Sequence, residues 1–135
     1  AHLKENRPDM LVIDMLDKVT LPDSKHITAQ HEKLREIYRR TRDLATRYEC
    51  AIFGYSQLSA DAEGRVNLNL SMMENSRTGK AAEADLMILI GKYAMIEGSD
   101  EGDPRRVFNI AKNKISGWHG QINVMLDGRV ARYDD

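Results

Sequence analysis

Two short apolar runs, Met10-Leu-Val-Ile13 and Ala51-Ile-Phe-Gly-Tyr55, stand on either side of a long amphipathic stretch. No other feature limits the fold so tightly. Continuous apolar runs of this length suit strands covered on both faces of a parallel sheet. Between them Leu34, Ile37, Tyr38, Thr41, Leu44, Ala45 and Tyr48 recur at three- and four-residue spacing, which predicts a helix from about Thr28 to Glu49. Strand, helix, strand in that order is a parallel crossover unit. The other helix face carries Arg35, Arg39, Arg40, Arg42 and Arg47, but Glu32, Glu36 and Asp43 intersperse them. It reads as a solvated face rather than a phosphate-binding stripe.

The rest of the chain changes character. Ser59 to about Ser76 is polar and predicts a long loop, and a short helix is expected around Gly79 to Ala84 before a third apolar strand, Asp85 to Ile90. The acidic segment Glu97 to Pro104 reads as an exposed connector, since its spacing fails the EF-hand pattern. Arg106–Lys112 and Gln121–Leu126 predict strands, Asp127-Gly128 a two-residue hairpin turn, and Arg129–Tyr133 a closing strand. The expected class is α/β, with parallel strands followed by antiparallel C-terminal hairpins.

Composition excludes several functions. The 135 residues fit one domain, and 20 basic against 21 acidic side chains leave a net charge of -1, so any anion site must be local. Cys50 is the only cysteine, so no intrachain disulfide forms; a reducing, cytoplasmic setting and a small buried thiol are the expectations. No apolar stretch approaches the ~20 residues of a membrane span, so no membrane partner is expected. The polar start at Ala1, without an initiator methionine or signal-like pattern, suggests a piece of a longer protein.

A carboxylate closes the first strand. Asp14 follows Ile13 directly, and Asp17 comes three positions later. An unpaired carboxylate taken out of water costs several kcal/mol, so each needs a partner or solvent. A strand-end Asp can position Mg²⁺ beside phosphates; equally, Asp14 or Asp17 can cap a following turn. The stretch alone does not separate these readings. Other chemistry finds no support: His26 and His31 are five apart, and no HExxH, no GxSxG elbow and no Ser/His/Asp or Cys/His set occurs. A P-loop is also missing. The Gly-Lys pairs Gly79-Lys80 and Gly91-Lys92 lack the following Ser or Thr, and Glu74 and Leu86 occupy the upstream glycine position.

Four landmarks in order give this pattern a family resemblance. They are Leu11-Val-Ile-Asp14; Ser56-Gln57-Leu58 after the second strand; Glu83-Ala84-Asp85 before Leu86-Met-Ile-Leu89; and Ala111-Lys112-Asn113-Lys114 with Gly117 or Gly120. In this the chain resembles the C-terminal part of the RecA-like ATPase domain of DnaB-type hexameric replicative DNA helicases, across nearly its whole length.

The resemblance implies an ATP-dependent helicase that translocates on single-stranded DNA, with residues 1–135 a partial RecA-like domain lacking the Walker A segment. ATP and Mg²⁺ are the implied cofactors. Asp14 would be the Walker B carboxylate that helps hold Mg²⁺, and Gln57 the sensor of the γ-phosphate. Lys112 and Lys114, read as projecting from one strand face, would reach a neighbour's ATP; Lys114 stands where the family commonly has an arginine finger. Arg77, Gly79 and Lys80 would contact the DNA backbone. The implied partners are single-stranded DNA, copies of the chain in a hexameric ring, and primase or a helicase loader. The fragment alone is expected to be inactive. A RecA/RadA-type recombinase or repair ATPase, and a degenerate RecA-like module that only binds, are the alternatives. Tyr55 and Trp118 are expected to pack rather than to stack on bases.

Overall fold

The computed structural model describes residues 7–22, 27, 29–73, 79–93 and 102–134. The chain divides into two units, Ala1–Gln57 with Glu74–Ala84, and Leu58–Met73 with Asp85–Asp135.

The first unit is the crossover that the apolar runs imply. Strand β1 (Met10–Ile13) pairs in parallel with β2 (Ala51–Gly54), Met10 facing Ala51 and Ile13 facing Gly54. Helix α1 (Gln30–Tyr48) connects them and ends where Glu49 turns left-handed at φ 52°. Leu34, Ile37 and Tyr38 of its apolar stripe pack with Leu16, against half-buried Ile13 and Leu21. Arg39 on the opposite face pairs with Glu36 and Asp43, each at 2.8 Å, and Arg40 pairs with Glu36 at 2.7 Å. Hydrogen bonds from Arg39 and then Arg40 hold the Glu36 carboxyl down at about 2. That face is solvated and internally neutralised.

The strands are not covered on both sides. Met10, Val12 and Phe53 are exposed while Leu11 and Ile13 are half-buried. Helix α1 shields only the alternate side chains. A short helix, α2 (Gly79–Glu83), completes the unit. Arg42 of α1 donates to the Glu83 carbonyl at 2.6 Å, satisfying an orphan acceptor at the end of α2.

The second unit is an antiparallel meander of β3 (Leu86–Lys92), β4 (Arg105–Asn113), β5 (Gln121–Asp127) and β6 (Arg132–Asp134), adjacent in that order. A bulge between Met87 and Ile88 shifts the register against β4. The connection from β5 to β6 is longer than the two-residue turn read from Asp127-Gly128. Asp127 pairs with Arg132, and Ala131 takes the left-handed conformation at φ 51°. The Asp127 side chain accepts from the Arg129 amide at 3.1 Å, a local turn that competes with immediate strand reversal.

The polar stretch after Leu58 is structured too. It forms single 3₁₀ turns at Ala60–Ala62 and Leu70–Met72, closed by a bridge between Leu58 and Met73. Ala62, Leu68 and Met73 cluster with Leu89 of β3. Buried Asn109 of β4 pins the segment. Its Oδ1 accepts from the Leu68 amide at 3.2 Å and from Gln121 Nε2 at 2.7 Å, while its Nδ2 donates to Val66 O at 2.9 Å. Among the described residues no helix is long and apolar enough to cross a membrane. Cys50 is buried and free. Tyr55 and Trp118, expected to pack, are instead more than half exposed, at 57% and 51%.

Candidate functional site at the end of the parallel strands

Parallel strands that start in register also finish together, so whatever follows β1 and β2 meets at one carboxyl edge. The Tyr55 amide donates to Ile13 O at 3.0 Å and the Leu16 amide to Tyr55 O at 2.9 Å, extending the pairing past both strands. This edge carries Asp14 and Asp17 from one side, and Ser56 and Gln57 from the other. Gly54 is required here, because any Cβ would collide with the Leu16 side chain.

The two carboxylates behave differently. Asp14 lies directly beyond β1 and is exposed. Asp17 sits on the one-turn 3₁₀ segment Leu16–Lys18 and turns inward. Its Oδ2 accepts from the Ser56 hydroxyl at 2.7 Å and from the Gln57 amide at 3.0 Å. Its Oδ1 faces Lys80 Nζ at 2.8 Å, and the two side chains are only 14% and 1% exposed. Lys80 Nζ also donates to Ser56 Oγ at 2.7 Å and lies 5.8 Å from the centre of the Tyr38 ring. Burial pushes the Asp17 carboxyl upward. Hydrogen bonds from Lys80, Ser56 and the Gln57 amide, with the Lys80 charge, outweigh that and leave it below the usual carboxylate range. Burial pushes the Tyr38 phenol up to about 12, a hydrogen bond with Ser56 opposes this, and the Asp17 charge adds to it. Ionised Asp17 and a neutral tyrosine thus enclose the ammonium.

This geometry corrects part of the site expected from the sequence. Lys80 is buried and ion-paired, and Gly79 is buried at the start of α2, so neither offers a surface to a DNA phosphate. Arg77 lies outside the described residues, as does most of the acidic connector. Asp14 and Gln57 do reach the same strand edge, both exposed. Lys112 and Lys114 belong to the second unit, and they do not alternate along one strand. Lys112 is on β4, which ends at Asn113, and Lys114 is in the turn beyond. Asn113 is the reason: its Oδ1 accepts from the amides of Ile115 at 3.0 Å and Ser116 at 3.1 Å, closing a turn that stops the ladder. The Lys114 ammonium lies 3.7 Å from Asp85 Oδ1, an exposed pair.

Magnesium fits this edge in one manner only. Among the described residues no three His, Cys, Asp or Glu side chains converge, and Asp17 is already occupied by Lys80. Mg²⁺ keeps several waters and takes one or two carboxylates alongside phosphate oxygens. The exposed Asp14 supplies such a ligand.

The partnership of Asp17 with Lys80 escapes sequence reasoning. A lysine set among Gly79, Ala81 and Ala82, on a helix too small to have a polar face of its own, is the available signal.

The chain matches the family model described as DnaB-like helicase C terminal domain over residues 2–135. It superposes on a solved helicase-type fold described as an ATPase domain with a TM-score of 0.80 at 18% identity, covering 99% of this chain and 48% of the other. A second, "The Structure Of A DnaB-Like Replicative Helicase And Its Interactions With Primase", gives 0.79 at 18% identity, covering 98% and 32%. The fold is therefore RecA-like, and the chain spans about half or less of each structure. No curated protein sequence matches it.

Proposed function

The chain belongs to the DnaB-like helicase C-terminal domain family, and from that premise we propose that it is part of the motor of a replicative DNA helicase, coupling ATP hydrolysis to movement along single-stranded DNA. The observation that carries this reading is the pairing of an exposed carboxylate, Asp14, with an exposed neutral amide, Gln57, at one edge of a parallel strand pair. Ligands of open α/β sheets bind outside the carboxyl ends of the strands. Asp14 holds a hydrated Mg²⁺, which when bound neutralises phosphate charge. Gln57 donates to a phosphate oxygen or accepts from the attacking water, tasks a neutral amide performs without a change of charge.

The phosphate cradle is supplied by sequence outside residues 1–135, which form a partial RecA-like domain. The exposed Met10, Val12 and Phe53 face supports further covering structure in the complete protein. A hexameric ring, with Lys112 and Lys114 directed at a neighbour's ATP, belongs to the same proposal, as do DNA contact through Arg77, engagement of primase or a loader, and a cytoplasmic setting. Lys114 retains charge without the planar fork of arginine, so its contribution in trans is that of a point charge.

The test uses the full-length protein. Asp14→Ala is expected to reduce ATP turnover at least ~100-fold while the ring still assembles, a loss within the range of a missing electrostatic stabiliser. Gln57→Ala should reduce turnover with ATP affinity preserved. Unaltered turnover in Asp14→Ala would overturn the assignment.

A further inference from the structure

We propose that Asp17 and Lys80 are positioning residues for Gln57, a role that rests on the reading of Gln57 given above. Gln57 sits three residues beyond the last residue of β2, where strand pairing no longer fixes it. Its amide is instead held by Asp17 Oδ2 at 3.0 Å, and its neighbour Ser56 donates to the same oxygen at 2.7 Å. One carboxylate oxygen therefore fixes two consecutive residues, and the exposed Gln57 side chain projects from a pinned backbone.

Asp17 is held in turn. Lys80 reaches its other oxygen at 2.8 Å and also donates to Ser56 Oγ at 2.7 Å, so the ammonium braces both the carboxylate and the hydroxyl it binds. Lys80 comes from α2, itself tied to α1 by Arg42 at the Glu83 carbonyl. The strand end that carries Gln57 is thus referenced to the helical layer of its unit as well as to the neighbouring strand. An exposed amide needs that reference, since a misplacement of ~1 Å can cost up to ~100-fold in rate. A lysine and an aspartate buried for packing alone would be replaceable by apolar groups without loss of turnover.

Two double variants of the full-length protein separate the roles. Asp17→Asn with Lys80→Met removes both charges but keeps an oxygen that accepts from the Gln57 amide. Asp17→Leu with Lys80→Met removes the acceptor as well. The Leu/Met protein is expected to lose between ~10-fold and ~100-fold in kcat with KM for ATP unchanged, and its Gln57 amide to exchange with solvent faster. The Asn/Met protein should recover most of both. Placed on a Gln57→Ala background, the Leu/Met pair should cost nothing further, because both changes act through the same side chain.

Equal kcat in the Leu/Met and unaltered proteins, or losses that multiply on the Gln57→Ala background, would overturn the proposal. The two readings fail differently. An impaired Gln57→Ala with an unimpaired Leu/Met variant removes the positioning role alone. An unimpaired Gln57→Ala removes the sensor assignment and the positioning role with it.

Discussion

Neutralising one member of the Asp17–Lys80 pair strands the other. At the observed 2.8 Å, two unit charges attract by roughly 6 kcal/mol at an effective dielectric of ~20. Desolvation of both groups offsets most of that, so the intact pair adds little net stability. The asymmetry appears on removing one partner. Asp17→Asn leaves an ammonium 1% exposed without its carboxylate, and Lys80→Met leaves a carboxylate 14% exposed without its ammonium. Each should cost about 3–5 kcal/mol, with Lys80→Met at the lower end because Ser56 and the Gln57 amide still donate to the carboxylate. Asn with Met together removes both charges and should cost only ~1 kcal/mol. Urea unfolding followed by helical circular dichroism, which reports α1, measures all three. Acid supplies a second check. The folded Asp17 carboxyl lies below its ordinary value of 3.8, so its contribution is complete above that value and is lost as pH falls through the folded value. In Lys80→Met that acid-linked loss should shrink. Single changes that each cost under ~1 kcal/mol, or a double variant that costs their sum, would refute the stranded-charge reasoning.

Gly54→Ala should lower the unfolding midpoint, by ~1–3 kcal/mol in stability, because its Cβ meets Leu16; a thermal melt checks this. Asn109→Ala should cost ~3 kcal/mol and accelerate hydrogen exchange at the Leu68 amide, whose acceptor it removes. The 135-residue chain alone should release no phosphate from ATP, measured by a coupled assay, since it contains no Walker A sequence. Cys50 should resist thiol reagents until denaturant is added, as expected of a buried thiol.

The crossover unit is legible in the sequence because it depends on local periodicity. Leu34, Ile37 and Tyr38 sit at helical spacing, and the runs at Met10 and Ala51 are too short and too apolar for much else. The antiparallel meander is legible for the same reason. Features that depend on one polar atom are not. Asn113 ends β4 a residue before Lys114, and Asp127 lengthens the final connection, through side chain to backbone bonds that leave the hydrophobic pattern untouched. The stretch after Leu58 reads as structureless because its apolar residues, Ala62, Leu68 and Met73, follow no helical or strand period. It is organised from outside by Asn109. Asn109 itself reads as an ordinary polar residue in a strand, and only the backbone groups it meets explain its burial.

The sequence Asp14-Met-Leu-Asp17 places two like carboxylates within one turn of chain, and the fold gives them opposite work. A 3₁₀ turn at Leu16–Lys18 is what divides them: Leu16 plugs into the α1 core, and that anchoring rotates Asp17 inward while Asp14 stays at the strand mouth. Had both remained exposed, their mutual repulsion would have favoured a shared cation and a two-carboxylate metal site. Because Lys80 neutralises Asp17, Asp14 faces solvent without a second free carboxylate from this pair beside it, so a divalent ion gains only one protein ligand there and depends on phosphate oxygens for the rest. Weak metal binding without nucleotide follows directly from that arrangement. The full-length protein should bind Mg²⁺ measurably only when ATP or ADP is present, by isothermal titration. Lys80→Met should raise nucleotide-free affinity by exposing Asp17 to the ion, and no rise in that variant would show that Asp17 does not turn outward when its partner is removed.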